Sequence, residues 1–164
     1  MIKYILLISV IVSTANLNAQ LKIGDSLPDI KLMNDKNIEI SIASFKGKTI
    51  LIDFWASWCG ACRTLNRKLG HLYKLNENHN FVIIGISLDS DKQKWLAAIE
   101  KDKMTYIQLN LPKDFQEDLG KLLKIRQIPT TLLFDSNGKF IARNPRAKLI
   151  SNEIQKGMLK NAKS

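Results

Sequence analysis

Two cysteines, Cys59 and Cys62, are the only thiols in the 164-residue chain, and they stand three positions apart. They close the stretch Asp53-Phe54-Trp55-Ala56-Ser57-Trp58-Cys59-Gly60-Ala61-Cys62, which runs from an apolar strand through a short turn into a helix. A thiol at a helix start faces unpaired backbone N–H groups and the positive end of the helix dipole. Both favour the thiolate, which is the reactive form. A second thiol one turn later can reach the first and close a disulfide. The pattern predicts reversible dithiol–disulfide exchange.

Two other uses of the same pair compete with this one. Zinc could draw on His71 and His79, giving C-x2-C-x8-H-x7-H. Finger histidines usually stand three to five residues apart, so the spacing is wrong, and no metal is expected. A purely structural disulfide is the other use. A bridge over so short a loop removes little unfolded-state entropy and makes a poor staple.

The elements that must hold this turn are legible on both sides of it. Thr49–Trp55 is almost continuously apolar, which places it in the middle of a sheet covered on both faces. Asp53 interrupts it. A carboxylate there is either at a solvent-facing strand end or buried with a raised pKa, where it could carry a proton for the cysteines. Ala61–Leu75 carries Leu65, Leu69, Leu72 and Tyr73 at helical spacing, with Gly70 weakening it slightly.

The remaining elements alternate. Asp29–Met33 and Ile38–Ser41 flank Asn34-Asp35-Lys36-Asn37 as a short hairpin, and Ile42–Phe45 follows as one helical turn. Phe81–Ser87 reads as a second buried strand. Ser90-x-x-Gln93 resembles a capping box opening a helix with Trp95, Leu96 and Ile99. Tyr106–Leu109 is a short strand. Pro112 fits the first turn of a helix that turns Phe115, Leu119, Leu122 and Leu123 inward. Ile128–Phe134 is a strand with a proline at its mouth, a residue that can form a cis bond. Asp135-Ser136-Asn137-Gly138 is a hairpin turn, Phe140–Arg143 the returning strand, and Lys148–Leu159 a closing helix with Ile150, Ile154 and Met158 on one side. This order gives an α/β fold: a central mixed sheet flanked by helices, with an N-terminal hairpin.

Composition agrees with one soluble domain: 45% hydrophobic and 24% charged residues leave enough apolar surface for a core. The first segment differs from the rest. Met1–Tyr4 is a short basic start, Ile5–Val12 is apolar apart from Ser9, and Ser13–Ala19 is small and polar. That is the layout of a signal peptide over residues 1–19, cleaved between Ala19 and Gln20, leaving 20–164 as the domain. Its apolar core is short for a bilayer span, so no stable membrane insertion is expected after cleavage. The protein is then exported, to the periplasm if the source is Gram-negative and otherwise to the cell surface or the extracellular space, where disulfides persist. The formal charge of +10 is spread along the chain without a run of five basic residues, which reads as a solvated surface and not a nucleic-acid site.

On Asp53-Phe54-Trp55-Ala56-x-Trp58-Cys59-Gly60-x-Cys62 and Ile128-Pro129-Thr130, the chain resembles the thioredoxin superfamily. Gly24-Asp25-x-x-Pro28, Gly85-Ile86-Ser87-Leu88-Asp89 and the extra helix and strand at about Ser90–Leu109 are similar to its secreted TlpA/ResA-like branch. The resemblance covers residues 22–160. It implies a thioredoxin-like fold with a helix–strand insertion. It implies that Cys59 attacks, that Cys62 resolves, and that Asp53 exchanges a proton with Cys62. Pro129 matches the cis-proline beside the cysteines, and Ile128 supplies backbone for extended pairing with substrate. Trp58 covers the site, and Gly60, Ala61 and Thr130 complete the substrate-binding set. Gly60-Ala61 replaces the Gly-Pro dipeptide that tunes the redox potential, and Arg67 stands where a kink proline is common.

The expected activity is that of an extracytoplasmic thiol–disulfide oxidoreductase reducing disulfides of partner proteins. It acts as a monomer, without a cofactor, and is recharged by an electron-donor protein. No phosphate loop or dinucleotide glycine pattern is present in the sequence. Three alternatives remain: a disulfide-forming oxidase, a peroxiredoxin-like antioxidant, and a non-catalytic binding module using the groove at Trp58 and Pro129. Ile52 and Ala56 occupy the positions where a peroxiredoxin carries proline and threonine before its cysteine, which disfavours the second.

Overall fold

A computed structural model describes residues 21–161; the expected signal segment lies outside the described residues. The described chain forms strands β1 (Lys31–Asn34), β2 (Glu39–Ser41), β3 (Thr49–Trp55), β4 (Phe81–Ser87), β5 (Ile107–Asn110), β6 (Thr130–Phe134) and β7 (Phe140–Arg143). Helices α1 (Gly60–Asn76), α2 (Lys92–Lys101), α3 (Lys113–Leu122) and α4 (Ala147–Asn161) alternate with them, and Ile42–Phe45 makes one 3₁₀ turn. The strands join one mixed sheet in the order β2-β1-β5-β4-β3-β6-β7. β3, β4 and β5 run parallel, while β6 pairs antiparallel to β3 and β1 antiparallel to β5.

Every residue of β3 and β4 is buried, as continuous apolar runs in a doubly covered sheet require. Side chains alternate between two cores. Ile50, Ile52 and Phe54 join Ile84, Ile86, Leu132 and Phe134 on one face, under Leu119 of α3 and Leu123 at its C-cap. Leu51 and Trp55 join Ile83 and Leu133 on the other, under α1, α2 and α4 through Leu69, Trp95, Ile150 and Ile154. Asp53 shares this second face with Leu51 and Trp55, so it lies on the side that α1 covers.

Several sequence expectations are corrected. The N-cap of α2 is Asp91, whose carboxylate accepts from the N–H groups of Gln93 and Lys94, so Ser90 does not open a capping box. The charged acceptor one residue later serves both amides at once. Leu96 and Leu122 are exposed, because Trp95 with Ala98 and Leu119 with Leu123 already define the inward stripes of their helices. Met158 is exposed because Gly157 takes the inward position of α4: a Cβ there would lie 3.1 Å from Thr49 Oγ1, so the helix approaches β3 closely. Pro112 is the N-cap of α3 and not a residue of its first turn. Helix α1 runs unbroken through Arg67, which pairs with Asp102 at 3.4 Å.

Candidate active site

The site forms where β3 ends and α1 begins, because the chain must turn there from the sheet into a helix lying over it. Cys59 is the N-cap of α1, in extended conformation, and its sulfur accepts a hydrogen bond from the Cys62 amide at 3.1 Å. The two cysteines are joined as a disulfide, their Cα atoms 5.2 Å apart. Cys59 is half-buried and Cys62 fully buried. One sulfur is therefore reachable from outside, and the other is sheltered beneath it. An N-cap sulfur facing free N–H groups is placed where a thiolate is stabilised.

Asp53 is completely buried, and desolvation pushes its carboxyl from 3.8 up to about 7. The solvent-facing alternative is excluded. Asn66, one turn after Cys62 on α1, is also buried. With its amide nitrogen turned inward it donates to the Cys62 carbonyl and to Asp53 Oδ2, each at 3.1 Å. A carboxyl with a pKa of about 7 gains and loses a proton readily near neutrality, which suits a general acid–base.

The turn before Cys59 is braced from β4. Asp89 accepts from the Ser57 N–H at 2.8 Å, from Ser57 Oγ at 2.6 Å and from Ser87 Oγ at 2.7 Å. Leu88 N–H donates to the Trp55 carbonyl at 2.9 Å, extending the ladder to the turn. On the other flank Arg63 forms a bidentate pair with buried Asp102 and donates to the Ser57 carbonyl at 3.3 Å. Asn66, Asp89, Arg63 and Asp102 were not among the site residues that the sequence pointed to. Asn66 had a signal: Cys62, Asn66, Leu69 and Tyr73 share one helical face, and a polar residue in that stripe is out of place.

The remaining expected residues surround the disulfide differently. Trp58 is 71% exposed, so its indole lies open beside Cys59 and does not seal it. Gly60 and Ala61 are exposed in the first turn of α1. The Ile128–Pro129 peptide bond is cis. Both residues are half-buried, and Ile128 packs on both cores. Thr130 is buried and its hydroxyl donates to the Gln127 carbonyl at 2.7 Å, so this side chain braces its own loop and is not open to a substrate. His71 and His79 are exposed, and no group of three or more metal-ligating side chains occurs among the described residues.

A mixed sheet of this order, with a cysteine pair capping the first helix after a central strand, defines a thioredoxin-type protein. The Thioredoxin-like family model matches residues 47–140, and the chain belongs to that family. The thioredoxin domain of a thiol-disulfide oxidoreductase from Bacteroides vulgatus is similar at 32% identity and a TM-score of 0.76, over 85% of this chain and 99% of that one. The C-terminal domain of a putative thiol-disulfide oxidoreductase from Bacteroides thetaiotaomicron is similar at 34% identity and 0.75, over 82% and 97%. Among curated relatives, the thiol-disulfide oxidoreductase ResA of Oceanobacillus iheyensis is 25% identical over 122 residues, or 72% of this chain. The match spans 62% of that relative's length.

Proposed function

We propose that this chain is a thiol–disulfide oxidoreductase that reduces disulfides in partner proteins outside the cytoplasm. The observation that carries the reading is the unequal exposure of the two sulfurs over a buried acid: Cys59 reachable, Cys62 sheltered, Asp53 beneath the helix that bears them. In the reduced protein, the Cys59 thiolate attacks one sulfur of the partner's disulfide. That S–S bond breaks, a mixed disulfide forms, and the first partner sulfur leaves as a thiolate that takes a proton. Cys62 then gives its proton to the Asp53 carboxylate and attacks Cys59 Sγ. The second partner sulfur is released, and two electrons have passed from the cysteine pair to the partner. The disulfide state described above is the product of this cycle, and a dithiol protein must reduce it again.

Trp58, Gly60 and Ala61 offer an open surface beside Cys59, and the backbone at Ile128–Pro129 is the proposed pairing strand for the substrate chain. Thiol-disulfide oxidoreductases among the similar proteins support the reaction class. The composition of residues 1–19 supports export, and residues 20–164 form the proposed mature domain. Among the described residues no helix is long and apolar enough to cross a membrane. The test is trapping. Cys62→Ser should accumulate a mixed disulfide through Cys59 with a disulfide-bonded protein such as insulin, and Cys59→Ser should form none. Absence of any adduct with Cys62→Ser overturns the reading.

A further inference from the structure

The buried acid has a neighbour outside the cysteine turn. Asp53 pairs in register with Gly85 on β4, and Gly85 pairs with Gln108 on β5. Residues paired across a sheet point to the same face, so these three form one row. The middle member has no side chain. Gln108 fills its place: a Cβ on Gly85 would meet Gln108 Oε1 at 2.5 Å and Nε2 at 2.9 Å. The Gln108 amide therefore reaches over β4 toward Asp53.

Its orientation is fixed from the other side. Trp55 Nε1–H, which can only donate, hydrogen-bonds to Gln108 Oε1 at 3.2 Å. That leaves the NH2 group as the free end. Gln108 is buried, and its Nε2 has no partner among the described residues; Asp53 Oδ1 is equally buried and equally without one among them. The orphaned Gln108 donor thus has two buried, unpartnered oxygens to choose between, Asp53 Oδ1 in its own row and Tyr106 Oη beside its side chain. Buried polar atoms of this kind carry a penalty unless they pair.

We propose that Gln108 is a positioning residue for Asp53, its unpartnered amide closing across Gly85 to donate to the carboxyl when that group ionises, and so favouring the ionised form. This rests on Asp53 serving the cysteine pair as proposed above. A donor to the charged form opposes the desolvation that raises this carboxyl. Gln108 thereby keeps the acid within reach of neutral pH, where it must be ionised to receive the Cys62 proton. In the oxidised protein the titratable group coupled to Asp53 is Tyr106 just before β5, with Asp102 at the end of α2 acting on Tyr106 in turn. Burial and the nearby Asp53 push the Tyr106 phenol up, against an opposing pull from the Gln108 amide beside it, so it stays neutral through this range.

The experiment reads the carboxyl directly. The oxidised protein is labelled with ¹³C at aspartate carboxyls, and Asp53 is titrated by NMR in wild type, Gln108→Leu, Gly85→Ala and Tyr106→Phe. Gly85→Ala keeps the glutamine but pushes its amide aside. Gln108→Leu and Gly85→Ala should both raise the Asp53 midpoint by about one pH unit, and Tyr106→Phe should leave it in place. An unchanged midpoint in Gln108→Leu, or the full rise in Tyr106→Phe, overturns the proposal. In the reduced protein, the pH profile for release of glutathione from its mixed disulfide with Cys59 should move with the carboxyl in the same variants. A carboxyl that moves while glutathione release does not follow upholds the positioning and overturns Asp53's part in the reaction.

Discussion

Asn66 joins Asp53 to Cys62: one amide nitrogen, 3.1 Å from Asp53 Oδ2 and 3.1 Å from the Cys62 carbonyl, ties the buried acid of β3 to the helix carrying the second cysteine. The acid and the second cysteine are thus held in one geometry by a side chain that touches both residues. The link also sets what removing the acid should do.

Asp53 opposes folding when ionised, so its pH dependence has a definite sign. Its folded pKa of about 7 lies above the ordinary 3.8, so the native state holds the proton more tightly than the unfolded chain. Stability therefore falls as pH rises from about 3.8 to about 7, and is level above that. The interval corresponds to about 4 kcal/mol at 1.36 kcal/mol per pKa unit. Asp53→Asn should be more stable than wild type at pH 8 by up to that amount, and nearly equal at pH 4, in urea unfolding of the oxidised protein. The same variant should slow the Cys62 step at neutral pH by roughly 10²-fold, the lower end of what a positioned base contributes.

Asp89 organises the turn. Asp89→Ala removes the acceptor for Ser57 N–H, Ser57 Oγ and Ser87 Oγ together. Hydrogen bonds to a charged group contribute about 1.5–3 kcal/mol each, but they share one site and do not add fully. The expected loss is about 3 kcal/mol in chemical unfolding. Attack by Cys59 should slow as well, because the backbone holding Trp58 and Cys59 loses its brace.

Trp58 separates docking from folding. Its side chain is 71% exposed, so Trp58→Ala should change stability by no more than about 0.5 kcal/mol. Its indole is exposed apolar surface on the residue next to Cys59. The variant should raise KM for a protein disulfide while leaving the rate with a small disulfide such as oxidised glutathione nearly unchanged. Equal losses with both substrates would place Trp58 in the chemistry and not in docking.

Arg63 and Asp102 lock α1 to the end of α2. Asp102 is almost completely buried, with Arg67 as its only other charged partner among the described residues. Arg63→Ala leaves that carboxylate poorly compensated and should cost about 3 kcal/mol, measured as a shift in the urea midpoint.

Much of this was legible because β3 and the cysteine turn are locally determined. The apolar run Thr49–Trp55 has no use except in a sheet centre, and Cys59-Gly60-Ala61-Cys62 has few uses at a helix start. Asp53 was legible as an anomaly but not as a buried group, since only the packing of α1 over β3 decides that. Asp89, Arg63 and Gln108 were not legible as site residues. Each acts across an element boundary, from the loop after β4, from α1 and from β5 in turn, and sequence spacing says nothing of such contacts. The exposed Leu96, Leu122 and Met158 show the limit of apolar spacing itself: a leucine at the rim of a stripe scores like one at its centre.

The central claim is that Cys59 is held as an accessible, stabilised thiolate, and the direct test is its acidity. In fully reduced protein, the rate of Cys59 alkylation by iodoacetamide is followed against pH, with the modified residue identified by mass spectrometry. The expected midpoint lies at or below about 7.5, with Cys59 alkylated well before Cys62. A midpoint near 8.5, the value of a free thiol, or preferential alkylation of Cys62, would contradict it.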